Sequence, residues 1–186
     1  MKLGAVLELD TRLSTRLRVA EKPGFLRVLA AFLAHSGDSW FWGMGLLITW
    51  WFGPHFWRHW AFVAFCGIGC LAVLVMTIKF SVKRRRPDGE WGLLYRSTDP
   101  HSFPSGHAAR AFLLAVLASG LGPLWLAILL WFWAPLVSLS RVAMGVHYLS
   151  DVLAGMLLGI LIGLAGLQVY QPVLAWLIKA TGWVLW

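Results

Sequence analysis

Five stretches of the chain, at about 39–54, 60–82, 105–121, 124–140 and 149–170, each carry at most one Asp, Glu, Lys or Arg. Inside a bilayer every backbone N–H and C=O must find its partner within the protein, and a continuous apolar run of this length does so as a helix. A helical span needs about 20 apolar residues, and several of these lie at the short end of that range, which calls for tilt or local bilayer thinning. A chain of 186 residues has the length of one soluble domain, but 59% hydrophobic residues, 13% charged residues and a mean hydropathy of +0.71 are more apolar than a core of that size can hide. The reading is all-α: a multi-pass transmembrane helical bundle of five to six spans, one membrane-embedded domain over residues 1–186 with its transmembrane core at 39–170.

Flanking segments read differently. Over residues 8–27, Leu9, Leu13, Leu17 and Ala20 recur at helical spacing while Arg12, Arg16 and Arg18 fill other faces, the pattern of an amphipathic helix in the headgroup plane. Pro23-Gly24 interrupts it and the apolar run 25–34 is too short to cross, so residues 1–35 are expected to be interfacial. Residues 1–22 lack the apolar heart of a signal peptide, leaving insertion to the internal spans. Trp40, Trp42, Trp50, Trp51, Trp57 and Trp60 form an aromatic belt, and residues 172–186 fit half a span or an interfacial helix equally. Gly155, Gly159 and Gly163, four apart, make a small-residue stripe on which a neighbouring helix can pack closely. Cys66 and Cys70 lie within one span and read as packing residues.

The net charge of +8 is concentrated at span ends, which points to anionic lipid or a phosphate substrate rather than nucleic acid. If each span crosses once, the loop after the second, the mouth of the third and the loop before the fifth share one side of the membrane. Three polar clusters fall there. In the first, Lys79 and Arg86 are seven apart, one helix face if the helix runs to Pro87, so both can reach one anion. Lys83, Arg84 and Arg85 between them read as headgroup contacts, whereas a lysine as deep as Lys79 is costly without a partner. In the second, Pro104-Ser105-Gly106-His107 opens a helix: Ser105 can cap it, the free N–H groups beside Gly106 can bind phosphate oxygens, and His107 projects from the first turn. In the third, Ser140-Arg141 precedes His147 and Asp151, whose spacing of four puts them on one face if the fifth span begins near Val146. The carboxylate could then fix the tautomer of His147, and Arg141 could hold phosphate oxygens bidentately.

Lys79-x6-Arg86-Pro87, Pro104-Ser105-Gly106-His107 and Ser140-Arg141-x5-His147-x3-Asp151 together resemble the three-part signature of the type 2 phosphatidic acid phosphatase (PAP2) superfamily, in its integral membrane lipid phosphatase branch. The resemblance covers about 73 residues, from Lys79 to Asp151. It implies a metal-independent phosphohydrolase without cofactor: His147 attacks phosphorus, Asp151 orients it, His107 serves the leaving oxygen and then water, and Lys79, Arg86, Ser105, Gly106 and Arg141 hold the phosphoryl oxygens. The implied substrate is a lipid monophosphate or isoprenoid diphosphate. Delivery of the phosphoryl group to a lipid hydroxyl and a non-enzymatic lipid-binding or transport role are the competing readings.

Arg110, one turn beyond His107, is a secondary candidate, either supporting the site or meeting a second phosphate, and His101 with Asp99 is a candidate for the pocket rim. His55 and His59 read as interfacial, and Asp38 as the N-cap of the first span. The implied location is the cytoplasmic (inner) membrane of a bacterium or archaeon. Its face is left open: Arg12, Arg16, Arg18, Lys22, Lys83, Arg84, Arg85 and Arg96 against Arg58 and Lys179 count as positive-inside for the site, while many bacterial members of the family work on the outer face. Oligomeric state is likewise left open.

Overall fold

Residues 108–118 are all buried, and they belong to the helix around which the others gather. A computed structural model describes residues 3–89, 91 and 99–182. Among these, seven helices follow in order: α1 (Leu3–Arg16), α2 (Phe25–Ser36), α3 (Ser39–Phe52), α4 (His55–Val82), α5 (Gly106–Leu121), α6 (Leu124–Ala143) and α7 (Leu149–Thr181). The 16 residues of α5 make about 24 Å, short of a hydrocarbon core of about 30 Å. That mismatch matters little because α5 is apolar on all sides and sheathed by protein.

Its closest neighbour is α7, then α6. The glycine stripe makes the first contact: a Cβ on Gly155 would lie 2.4 Å from the Ser105 carbonyl oxygen, and one on Gly159 2.1 Å from that of Ala109. Backbone therefore meets backbone, and the Ser105 N–H donates to the Asp151 carbonyl at 2.9 Å, tying the mouths of the two helices together. α4, α6 and α7 are long and apolar enough to cross a membrane. Their outward faces carry exposed Val73, Phe132 and Trp176, as lipid-facing surfaces should.

The bundle is the multi-pass helical membrane fold expected, with altered boundaries. The second span starts at His55, ahead of the expected 60. The fifth runs through Pro172 to Thr181, so most of the undecided tail continues that helix. The amphipathic run expected over residues 8–27 is broken: α1 stops at Arg16 and α2 begins at Phe25. The apolar stripe of α1 (Leu9, Leu13), continued by Leu17 just past its end, faces outward, while Asp10 and Ser14 are buried against the protein. Ser14 Oγ accepts the Leu149 N–H and Asp10 Oδ1 the Ser150 N–H, so α1 satisfies donors at the start of α7.

Gly159→Val should lower stability by about 1–3 kcal/mol or more, because the atom it meets is a carbonyl that cannot swing away. Gly166→Ala, whose Cβ would meet only Leu117 Cδ2 at 3.7 Å, should be tolerated. Thermal unfolding of both variants in one detergent checks the contrast.

Candidate active site

Four helix ends deliver polar side chains to one cavity of about 150 Å³ at one end of the bundle. Lys79 comes from the last turn of α4, His107 and Arg110 from the start of α5, Arg141 from the last turn of α6, and His147 from the turn before α7. Arg86 arrives from the segment after α4. Leu71, Val75 and Met76 of α4, on the turns before Lys79, add an apolar lining. Lys79, Arg86, Arg141 and His147 are each no more than 2% exposed, so the charge of the three cations is held almost entirely by neighbouring dipoles and carboxylates.

Those neighbours are specific. Arg86 Nη2 donates to Asp99 Oδ2 at 2.7 Å, and Lys79 Nζ donates to the same oxygen. Lys79 Nζ also reaches the His101 carbonyl at 3.0 Å. Arg86 Nε donates to the Asp99 carbonyl at 2.7 Å and Nη1 to that of Val146 at 2.8 Å. Arg86 Nη1 further lies 3.2 Å from His147 Nε2. A guanidinium can only donate, so Nε2 carries the lone pair and the ring proton sits on Nδ1. Nδ1 faces Asp151 Oδ2 at 3.6 Å, ion-pair range and longer than a hydrogen bond. Burial, followed by the charges of Arg86 and Arg141, pushes His147 well below the usual imidazole range.

Several expectations change in detail. α4 ends at Val82, with Lys83 left-handed (φ 53°), so Lys79 and Arg86 converge across a chain turn instead of along one helix face. His147 lies ahead of α7, not in it, because the helix is capped at Tyr148, whose N–H donates to Asp151 Oδ2 at 2.9 Å. The His-to-Asp hydrogen bond expected from helical spacing is therefore not formed. Arg84 does not face headgroups: Nη1 bonds Asp151 Oδ1 at 2.7 Å, Nη2 bonds Asp10 Oδ2 at 2.7 Å, and its guanidinium lies 4.0 Å over the Tyr148 ring. Lys83 and Arg85 do stay exposed. Ser105 Oγ caps α5 by accepting the Ala108 N–H at 3.4 Å, and Gly106 lines the cavity. His101 turns its ring edge-on to Phe80 at 5.4 Å and offers the site only its carbonyl. Ser140 Oγ donates to its own helix at Val137. Arg96 lies outside the described residues, and Arg18, like Arg84, is bonded within the protein, through Glu21 and the Asp88 carbonyl.

One acid, Asp10, escaped the sequence reading, and another, Asp38, was expected only as an N-cap. Asp10 supports Arg84, and Asp38, although at the N-cap position of α3, makes no side-chain cap. Asp38 Oδ1 instead lies 2.8 Å from His107 Nε2 and Oδ2 lies 3.0 Å from His35 Nδ1. Burial favours protonation of Asp38, but the bonds from His107 and then His35 outweigh it and hold the carboxyl below its ordinary range. Arg110 meets the same turn, donating to the Gly37 carbonyl through Nε (3.2 Å) and Nη2 (2.6 Å) and to Ser39 Oγ.

Four buried cations and two histidines at the mouth of an apolar bundle define a class, the membrane-embedded phosphatases. The chain belongs to the PAP2 superfamily, whose sequence profile matches residues 61–174. A decaprenylphosphoryl-5-phosphoribose phosphatase of Mycobacterium tuberculosis is 32% identical over 161 residues, 84% of this chain and 86% of that one. An undecaprenyl-diphosphatase of Sulfolobus acidocaldarius is 43% identical over 77 residues, 41% of this chain and 37% of the relative. The crystal structure of a transmembrane PAP2-type phosphatidylglycerolphosphate phosphatase from Bacillus subtilis superposes with a TM-score of 0.70 at 26% identity, covering 91% of this chain and 88% of the other.

A histidine held neutral in the fold binds a proton more readily when unfolded, so His147 should cost stability as pH falls below about 6.5. Unfolding measured at pH 7 and pH 5.5 should show a loss about 1 kcal/mol smaller in His147→Asn than in the parent protein.

Proposed function

We propose that this chain removes the terminal phosphate of a lipid monophosphate or isoprenoid diphosphate, of the phosphatidic acid, phosphatidylglycerophosphate or polyprenyl diphosphate type, in the cytoplasmic membrane of a bacterium or archaeon. The observation that carries this is the mixed lining of the cavity. Lys79, Arg86 and Arg141 offer charge to a phosphoryl group, and α4 on the turns before Lys79 adds apolar Leu71, Val75 and Met76, the last 42% exposed on the surface of the bundle. A lipid tail lying against α4 brings its phosphate to the cations while remaining in an apolar medium.

In this proposal the Nε2 lone pair of His147 attacks phosphorus, and the bond from phosphorus to the lipid oxygen breaks. The charge of Arg84-held Asp151 lies behind Nδ1–H as the ring becomes cationic. His107 gives its proton to the departing oxygen. Water then gives a proton to His107 and attacks phosphorus, breaking the P–N bond and releasing inorganic phosphate. One water is consumed and one lipid alcohol, or lipid monophosphate from a diphosphate, is formed. Lys79, Arg86, Arg141, Ser105 and Gly106 belong to the phosphate cradle, Ser105 through the helix end that it caps. The steps need neither metal nor cofactor.

Inorganic phosphate release from a panel of these lipid phosphates, in detergent with EDTA present, tests the reading. Release unaffected by chelation and lost by 100-fold or more (about 10²–10⁴ for a single acid–base group) in His107→Ala supports it. Loss of activity on chelation, or release only when a lipid alcohol is added as acceptor, contradicts it.

A further inference from the structure

We propose that Asp38 is the positioning carboxylate of His107: it aims the Nδ1 side of the ring at the substrate and stabilises the proton that His107 hands to the leaving oxygen. The inference rests on the phosphatase reading above and adds to it a residue from outside the three motifs, 69 positions from its partner.

The contact is built from both sides. His107 and Arg110, three apart on α5, meet the two-residue turn Gly37-Asp38 between α2 and α3 and the first residue of α3, Ser39. Arg110 grips the residues on either side of Asp38, the Gly37 carbonyl and the Ser39 hydroxyl, which leaves the Asp38 carboxylate facing the imidazole at 2.8 Å. The approach requires glycine at 37: a Cβ there would lie 3.2 Å from His107 Cδ2 and 2.8 Å from Val137 Cγ1. The second carboxylate oxygen is taken by His35, whose half-exposed ring lies beside Trp91, so the carboxylate is held at both ends.

The chemistry asks for such a partner. An acid must enter the reaction protonated, yet the other charged or titratable groups facing His107 are Arg141 and Arg110, both cationic, and His147. Asp38 faces His107, His35 and Arg110 and supplies the negative charge that favours an imidazolium. With Nε2–H donated to Asp38, Nδ1 is the nitrogen that carries the transferable proton. During phosphoryl transfer that proton moves from Nδ1 to the lipid oxygen as the P–O bond breaks, and water returns it in the second step. The carboxylate remains charged throughout, so atoms and protons balance without a further donor.

Asp38→Asn separates this role from a structural one, because an aryl leaving group such as p-nitrophenolate departs without needing a proton and an alkyl lipid oxygen does not. On a dialkyl glycerol phosphate, turnover should fall by about 100-fold, the low end of what a positioned acid contributes. On p-nitrophenyl phosphate the first-order rate of the p-nitrophenolate burst, which reports phosphorylation alone and not the water step, should fall by less than about fivefold, and a first-order rate is insensitive to the fraction folded. In a His107→Ala background, Asp38→Asn should cost less than about twofold on the lipid substrate, since a residue acting through His107 has nothing left to act on. Equal losses on both substrates, or a full-sized loss in the His107→Ala background, would overturn the proposal while leaving the phosphatase reading intact. A parent protein that releases phosphate from neither substrate would overturn both.

Discussion

Burying Lys79, Arg86 and Arg141 around one imidazole is the constraint that shapes the rest of the molecule. Each ion taken from water costs several kcal/mol even after relaxation, so each must find fixed partners. The segments on either side of the α4 to α5 connection supply many of them. Arg85 pairs with His101 as an isolated antiparallel bridge, the Ser102 N–H donates to the Arg84 carbonyl at 2.9 Å, and this clasp carries the Asp99 carboxylate and the His101 carbonyl to the cations. Asp99 already occupies one flank of the charge cluster that a phosphoryl group would use. An incoming phosphate must share those cations with it or displace it, which favours a ligand with more than one negative oxygen over a neutral headgroup.

The bundle exists to hold those charges at an apolar boundary. α5 brings a helix start to the site because the glycine stripe of α7 lets two backbones touch, and any side chain at Gly159 would push them apart. Asp151 is fixed twice over, by its own helix start through the Tyr148 N–H and by Arg84, which is in turn fixed by Asp10 of α1. The N-terminal helix, amphipathic with its leucines outward, thus reaches the cavity end of the bundle through two small polar residues on its inner face. Site and fold share the same contacts here: the Arg84 guanidinium that holds the carboxylate beside His147 also docks α1 through Asp10.

What could be read from sequence were features that no apolar helix tolerates by chance. Lys79, Arg141, His147 and Asp151 stood out because polar groups at the mouths of spans are expensive, and the glycines because they recur at helical spacing. Partnerships were hidden, since they join residues far apart in sequence: Asp10 with Arg84, Asp38 with His107, Lys79 with Asp99. Arg84 has the same composition as its exposed neighbours Lys83 and Arg85, and only the left-handed turn at Lys83 sends it inward. The true start of α7 was hidden because Tyr148 is an unusual cap, and its end because the apolar and aromatic tail from Pro172 fits half a span or an interfacial helix equally. A proline inside a helix costs about 3 kcal/mol, which packing beyond it, as by buried Leu174, helps to offset.

The account stands on His147 becoming covalently phosphorylated through Nε2 during turnover. Rapid acid-free quenching with a radiolabelled lipid phosphate, followed by peptide mapping, measures this directly. The expected result is an acid-labile, alkali-stable label on the peptide containing His147, enriched in His107→Ala with an activated aryl phosphate because the water step is slowed. A label on any other residue, or single-turnover phosphate release with no label on that peptide, would contradict it.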